Sequence, residues 1–226
     1  IGIVILVVLM LFICFIVRRL VVRPFISYNR SIQKGEIFPT IGAEELQSLA
    51  ETYNRVYAEN QETQKIIRHQ AEHDTLTELL NRGSYEKVLN IYEKGEVPFA
   101  LILVDVDIFK SVNDTYGHAV GDEILKKVSR LLKDAFRSID YVCRIGGDEF
   151  AVVMVDVTSS LQYTVEDKIT SINKELAKAE ENLPAISLSV GVAFSDRENP
   201  GESIFKDADK ALYYIKEHGK SGCGFY

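Results

Sequence analysis

The chain reads as an α/β protein, a central mixed sheet flanked by helices, with a membrane-spanning helix and a helical linker ahead of it. Three observations predict this. Residues 1–17 carry no charged side chain and are followed at once by Arg18 and Arg19. From Leu46 to Gln70 an apolar seam repeats with alternating spacings of three and four. Beyond His73, short apolar runs of strand length alternate with longer amphipathic stretches, the pattern of strands covered by helices.

Residues 1–17 predict a transmembrane helix whose flanking arginines, Arg18, Arg19 and Arg23, mark the cytoplasmic side. A signal peptide would begin with Met and a basic segment and end at small residues, whereas this run begins on Ile1 and ends on arginines. The missing initiator Met makes the sequence a fragment of a longer chain, with a sensor expected upstream. The span predicts residence in a membrane with the remainder of the chain in the cytoplasm.

Residues 18–72 read as a signalling linker and stalk. Pro24 follows the span, residues 35–42 hold turn formers, and Glu44 and Glu45 open a helix. Leu46, Leu49, Tyr53, Val56, Asn60, Thr63, Ile67 and Gln70 then form a heptad seam. A buried Asn60 amide at an a position would set register and partner number. A dimeric coiled coil is the expected state, against one amphipathic helix packed on its own domain.

Residues 73–226 predict the globular domain. Helices are expected at 84–94, 121–136, 161–181 and 202–217, and strands at 99–106, 141–145, 149–155, 186–194 and near 223–226. The run Phe99 to Val106 is almost wholly apolar and ends in Asp105-Val106-Asp107, so a buried strand delivers carboxylates at its carboxyl end, with Asp105 and Asp107 on one face. Between the next two strands stand Gly146-Gly147-Asp148-Glu149. A two-residue hairpin turn there would need φ > 0 at both glycines. Paired acids beside a tight turn suit a hard cation such as Mg²⁺. Gly219-Lys220-Ser221 imitates the tail of a phosphate-binding P-loop, but Tyr214 stands where that motif needs Gly and a helix precedes it.

Composition narrows the partners. Five basic side chains and one acid in residues 1–40 leave −11 on the rest of a chain whose formal net charge is −7. That acidic body argues against nucleic acid, which binds basic faces. Cys14, Cys143 and Cys223 lack metal-site spacing and read as reduced thiols.

Five stretches carry a resemblance. They are His73 to Arg82 (HDTLTELLNR), Asp105 to Asp122 (DVDIFKSVNDTYGHAVGD), Arg144 to Phe150 (RIGGDEF), Ser189 to Ala193 (SVGVA) and Ala208 to Lys220 (ADKALYYIKEHGK). In this order they resemble the GGDEF family of diguanylate cyclases, and the linker more loosely resembles the HAMP module. The resemblance implies a palm-like cyclase fold and the condensation of two GTP into cyclic di-GMP with release of two pyrophosphates. It implies Mg²⁺, with Mn²⁺ as a substitute, held by Asp105, the Val106 carbonyl and Asp148 with help from Glu149. Asp148 would be the base toward the 3′-hydroxyl, and Lys110, Lys216 and Lys220 would contact phosphate. Gly146 and Gly147 would lie against the substrate, and His118 would line the ribose. Asn113 and Asp122 fit guanine, because a carboxylate accepts the N1–H and N2–H donors that adenine lacks. One pocket holds one GTP, so a homodimer is implied. Arg137 and Asp140 match the family's inhibitory product site, RxxD. A catalytically silent receptor for GTP or cyclic di-GMP and an adenylyl-type cyclase are the competing readings; the retained acids speak against the first, and Asn113 with Asp122 against the second.

Overall fold

A computed structural model describes residues 2–179 and 183–226, and the chain divides into two compact units, residues 1–69 and 70–226.

In the first unit, helix α1 (Gly2–Val17), a π-helical turn (Arg18–Val22) and helix α2 (Arg23–Lys34) follow without a break. Together they are long and apolar enough to cross a membrane, with a mean hydropathy of 2.8 over the most apolar window. Pro24 lies in the first turn of α2, inside this continuous helix, and its missing N–H leaves the Leu20 carbonyl to accept the Ala43 amide at 3.0 Å. Gly35 ends α2 at φ 65°, a left-handed cap. Helix α3 (Glu44–Glu72) begins in this unit. Its Ala50, Leu46 and Tyr53 pack with Tyr28 and Phe38, and the Phe38 ring stacks 4.7 Å from Tyr28 and 3.8 Å from Tyr53. The heptad seam is therefore divided. Leu46 and Tyr53 are used inside the chain, while Leu49, Val56 and Ile67 stay exposed.

In the second unit a five-stranded sheet has the order β2-β3-β1-β4-β5. Its strands are β1 (Phe99–Val106), β2 (Tyr141–Arg144), β3 (Glu149–Val155), β4 (Leu188–Phe194) and β5 (Gly222–Phe225). Only β4 and β5 pair in parallel, so the sheet is mixed as expected. Helices α4 (Arg82–Lys94), α5 (Phe109–Tyr116), α6 (His118–Ala135), α7 (Gln162–Leu176) and α8 (Ile204–Glu217) complete the unit. Alternate residues of β1 serve opposite faces. Ala100, Ile102, Val104 and Val106 join the α6–α7 core, and Phe99, Leu101 and Leu103 join the core under α4 and α8.

Most boundaries fall within two residues of expectation, and the larger differences concern α5, α6 and α7. Helix α5 replaces an expected loop, because the polar residues of 108–117 hide its two apolar anchors, Val112 buried in the core and Phe109 packed against it. Helix α6 begins at His118 rather than 121, directly after Gly117 at φ 85°. Helix α7 ends at Leu176, short of the expected 181; residues 180–182, like Ile1, lie outside the described residues.

The passage of α8 over β4 depends on Gly191. A Cβ there would fall 2.2 Å from the Ala208 carbonyl and 2.3 Å from the Leu212 amide, backbone atoms that cannot swing aside. Gly191→Ala should therefore lower stability by about 3 kcal/mol, the upper end for overpacking. Urea denaturation of both proteins measures the difference, and an unchanged midpoint would show that α8 has room to move.

Candidate active site

Backbone pairing brings the acids together. Asp105, near the end of β1, lies opposite Glu149 of β3 and opposite Ser189 of β4. The next residue along, Val106, donates its N–H to the Asp148 carbonyl at 3.1 Å. Acids distant in sequence thus share one end of the sheet.

The hairpin differs from the expected tight turn. The Ile145 and Gly146 amides both donate to the Glu149 carbonyl, at 2.9 and 3.2 Å, so a four-residue loop joins β2 to β3. Neither Gly146 nor Gly147 is left-handed, since this longer loop does not demand it. A Cβ on Gly146 would stand 2.5 Å from Glu149 Oε2, so a side chain there would push the Glu149 carboxylate out of its present place. Glu149 is folded back over Gly146, and Gly147 meets nothing within 4 Å.

Asp105 is the half-buried member of the cluster. Burial raises its pKa, the Lys216 ammonium opposes that rise, and the Asp148 and Asp107 carboxylates add to it. Lys216 Nζ lies 2.6 Å from Asp105 Oδ2, a cation already drawn to the acids. The expectation that three carboxylates meet is not fulfilled: among the described residues no three His, Cys, Asp or Glu side chains could cage a metal ion. What remains is two aspartates, Asp105 and Asp148, within electrostatic reach, an open donor set that suits a hard divalent cation completed by other ligands rather than a closed protein cage. The residues fit such an ion.

Asp107, on the expected shared face, has a separate employment. Buried, it accepts hydrogen bonds from Ser187 Oγ at 2.6 Å, Ser189 Oγ at 2.7 Å and the Ser221 amide at 3.1 Å. It ties β4 and the loop before β5 to the end of β1. That loop is strained, with Lys220 and Ser221 at φ 60° and 53°. Lys220 is exposed and carries its cation on this fixed backbone. The chain leaves Asp107 through Ile108 at φ 56°, an uncommon state for a β-branched residue, and so turns into α5 with Lys110 exposed in its first turn.

Asn113 lies on α5 with its Oδ1 buried and without a hydrogen-bond partner. A Cβ on Gly121 would fall 2.0 Å from that oxygen, so glycine on α6 makes room for the amide next to Asp122. Asp122 and His118 are exposed. Because α6 starts at His118, Asp122 lies beyond its first turn, out of position to meet the positive end of the helix dipole.

Arg137 and Asp140 form a closed pair. Asp140 accepts the Arg137 amide at 2.9 Å, Arg137 Nε at 3.1 Å, Arg137 Nη2 at 2.8 Å and the Val155 amide at 3.2 Å. Arg137 and Asp140 also border a cavity of about 500 Å³ with His73, Lys133 and Tyr141. Sequence reasoning missed the roles of Asp107 and Arg144. The two-residue spacing from Asp105 was the signal for the first; nothing local announces the second, whose guanidinium bonds Asp74 and the Gly147 carbonyl.

Known proteins give this geometry a context. The chain is 37% identical over 164 residues to the diguanylate cyclase DosC of Escherichia coli, covering 70% of this chain and 36% of DosC. It is 30% identical over 196 residues to the diguanylate cyclase TpbB of Pseudomonas aeruginosa, covering 80% of this chain and 45% of TpbB. The chain thus spans well under two thirds of these curated relatives. Among solved structures, the coiled coil and GGDEF domain of DgcB from Caulobacter crescentus, in complex with c-di-GMP, superposes with a TM-score of 0.68 at 27% identity, covering 79% of this chain and 97% of that one. The family described as "Diguanylate cyclase, GGDEF domain" matches residues 71–222, more than half of the chain, and the protein belongs to that family.

Proposed function

We propose that this protein condenses two molecules of GTP into cyclic di-GMP, releasing two pyrophosphates, as a membrane-anchored homodimer. The observation that carries the reading is the pairing of β1 with β3, which sets Asp105 opposite Glu149, puts the Asp148 carbonyl on the Val106 amide and leaves the Asp105 and Asp148 carboxylates within electrostatic reach. Asp148 takes the proton of a 3′-hydroxyl, whose oxygen attacks the α-phosphorus of the GTP held by the partner domain; the bond to the β-phosphate oxygen breaks and pyrophosphate leaves. Asp105, Asp148 and the Val106 carbonyl would hold Mg²⁺ or Mn²⁺, which when bound neutralises the triphosphate and makes the α-phosphorus more electrophilic. Lys216 exchanges Asp105 for a phosphate oxygen, and Lys110 and Lys220 contribute further positive charge. Glu149 assists from the hairpin. Asn113 and Asp122 select guanine, and His118 lines the ribose beside a backbone left open by Gly146 and Gly147.

Two nucleotides must meet face to face, so dimerisation belongs to the reaction. The exposed Leu49, Val56 and Ile67 along α3 supply an apolar seam for it, and the helices before α3 serve as the HAMP-like linker from an inner-membrane anchor to a cytoplasmic domain. Arg137 and Asp140 form the inhibitory product site, with Arg137 held by Asp140 through Nε and Nη2 and by the Val155 carbonyl through Nη2, so that Nη1 is the group offered to an anion.

Full-length protein in lipid nanodiscs with Mg²⁺ should convert GTP, and not ATP, to cyclic di-GMP. Binding of GTP without turnover would leave a silent receptor in its place. Asp148→Asn should lower kcat by about 10²–10⁴-fold, the usual worth of a general base; activity near wild type would remove Asp148 from that role. Arg137→Ala should relieve product inhibition, measured as the cyclic di-GMP concentration that halves the rate. A melting curve taken alongside reports the cost of leaving buried Asp140 without its guanidinium.

A further inference from the structure

The peptide between Gly147 and Asp148 is held from both ends, and one of the holding groups reaches back to where the chain enters the domain. Arg144, at the end of β2, donates from Nη2 to the Gly147 carbonyl at 2.8 Å and from Nη1 to Asp74 Oδ1 at 2.9 Å. The Gly147 carbonyl and the Asp148 amide belong to one rigid plane, so this bond sets the direction in which Asp148 leaves the loop. On the other side, the Asp148 carbonyl accepts the Val106 amide. Gly147 itself offers no restraint, since nothing approaches the place of its missing side chain.

Asp74 is equally fixed. Its Oδ1 accepts the Thr77 amide at 2.9 Å and the Thr77 hydroxyl at 2.7 Å. Burial alone would raise its pKa, yet those two bonds and Arg144 hold the carboxyl below its ordinary value. The same segment grips the last turn of α3. The Glu72 carbonyl accepts the Asn81 amide at 2.9 Å and Ser84 Oγ at 2.8 Å, and the Ala71 carbonyl accepts Asn81 Nδ2 at 2.8 Å. The segment also lines the edge strand, where the Arg144 amide donates to the Leu80 carbonyl at 2.8 Å. A continuous set of hydrogen bonds therefore runs from the end of the stalk helix to the catalytic loop, and Arg144 is its only side chain touching that loop among the bonds described.

We infer that Arg144 is a positioning residue, which with Asp74 makes the placement of Asp148 depend on the last turn of α3. This deepens the cyclase reading and rests on it. A planar guanidinium bridges two oxygens at fixed angles, whereas a lysine ammonium reaches one of them. Arg144→Lys should thus keep the charge and lose the coupling.

The test uses full-length protein in nanodiscs, as wild type, Arg144→Lys, Asp74→Asn and the double variant. kcat and KM for GTP are measured together with amide hydrogen exchange at Gly147, Asp148 and Glu149. Arg144→Lys should lower kcat by between about ten- and a hundredfold, the scale of a small misplacement of a reacting group, with KM changed less than threefold. Exchange should quicken in the loop and remain slow in β1. Asp74→Asn should act in the same direction, and the double variant should lose no more than Arg144→Lys alone, because both break one chain of contacts. Wild-type kcat and loop exchange in Arg144→Lys would overturn the inference, as would losses that multiply in the double variant. Should Arg144→Lys fail to fold, Asp74→Asn, which keeps its oxygen for Thr77, decides by the same two readouts. Should the wild type make no cyclic di-GMP, the cyclase reading fails, and loop exchange still decides the positioning role.

Discussion

Strand β1 is paired on both edges, antiparallel to β3 and to β4, and the placement of every acid in the candidate site depends on that double pairing. Side chains alternate along β1 into two separate cores. A slip of one residue would send every one of them to the wrong face, so the register is locked by burial over the whole strand. Asp105 inherits its position from that lock. Its distance from Glu149 and Ser189 is a property of the ladder and needs no carboxylate to maintain it.

The electrostatics follow from this forced proximity. Burial and the neighbouring Asp148 and Asp107 all work against an ionised Asp105, and Lys216 from α8 relieves them at 2.6 Å. The two strand-end aspartates divide the labour. Asp105 faces the cation side, whereas Asp107 spends its oxygens on three donors that anchor the backbone carrying Lys220. Ile108, Lys220 and Ser221 are all left-handed, so the chain accepts backbone strain on both sides of the site, and the hydrogen bonds of Asp107 help to hold it there.

The domain's entry is as ordered as its centre. The carbonyls that α3 leaves free at its end are taken up by Asn81 and Ser84, a use of unsatisfied helix ends as attachment points. The segment then lies along β2, the edge strand, and covers backbone groups that would otherwise face water. Arg144 connects that edge to the loop bearing Asp148. In the first unit α3 is divided: Leu46 and Tyr53 pack internally while Leu49, Val56 and Ile67 remain exposed.

Much of this was legible in the residues. Apolar run length marked β1, alternation of strand and helix patterns marked the sheet and its cover, and the acids after Gly147 stood out as chemistry rather than core. These are local signals, set by hydrophobic period and by the scarcity of reasons to place paired acids beside an apolar strand. Helix α5 escaped because its two apolar anchors, Phe109 and Val112, stand among polar residues, and the loop glycines were misread because turn length, not glycine content, decides their conformation.

The sequence by itself determined the order of elements, the side of each strand that is buried, and the inventory of acids, lysines and amide groups available to a nucleotide. Only the tertiary structure decided that Glu149 folds over Gly146, that Asp107 is occupied by serines, that Lys216 answers Asp105, and that Arg144 joins Asp74 to Gly147. Those outcomes depend on contacts between residues far apart in the chain. Period and propensity describe neighbours along the backbone, whereas hydrogen bonds and ion pairs of this kind exist only once β1, β3, β4 and α8 have packed.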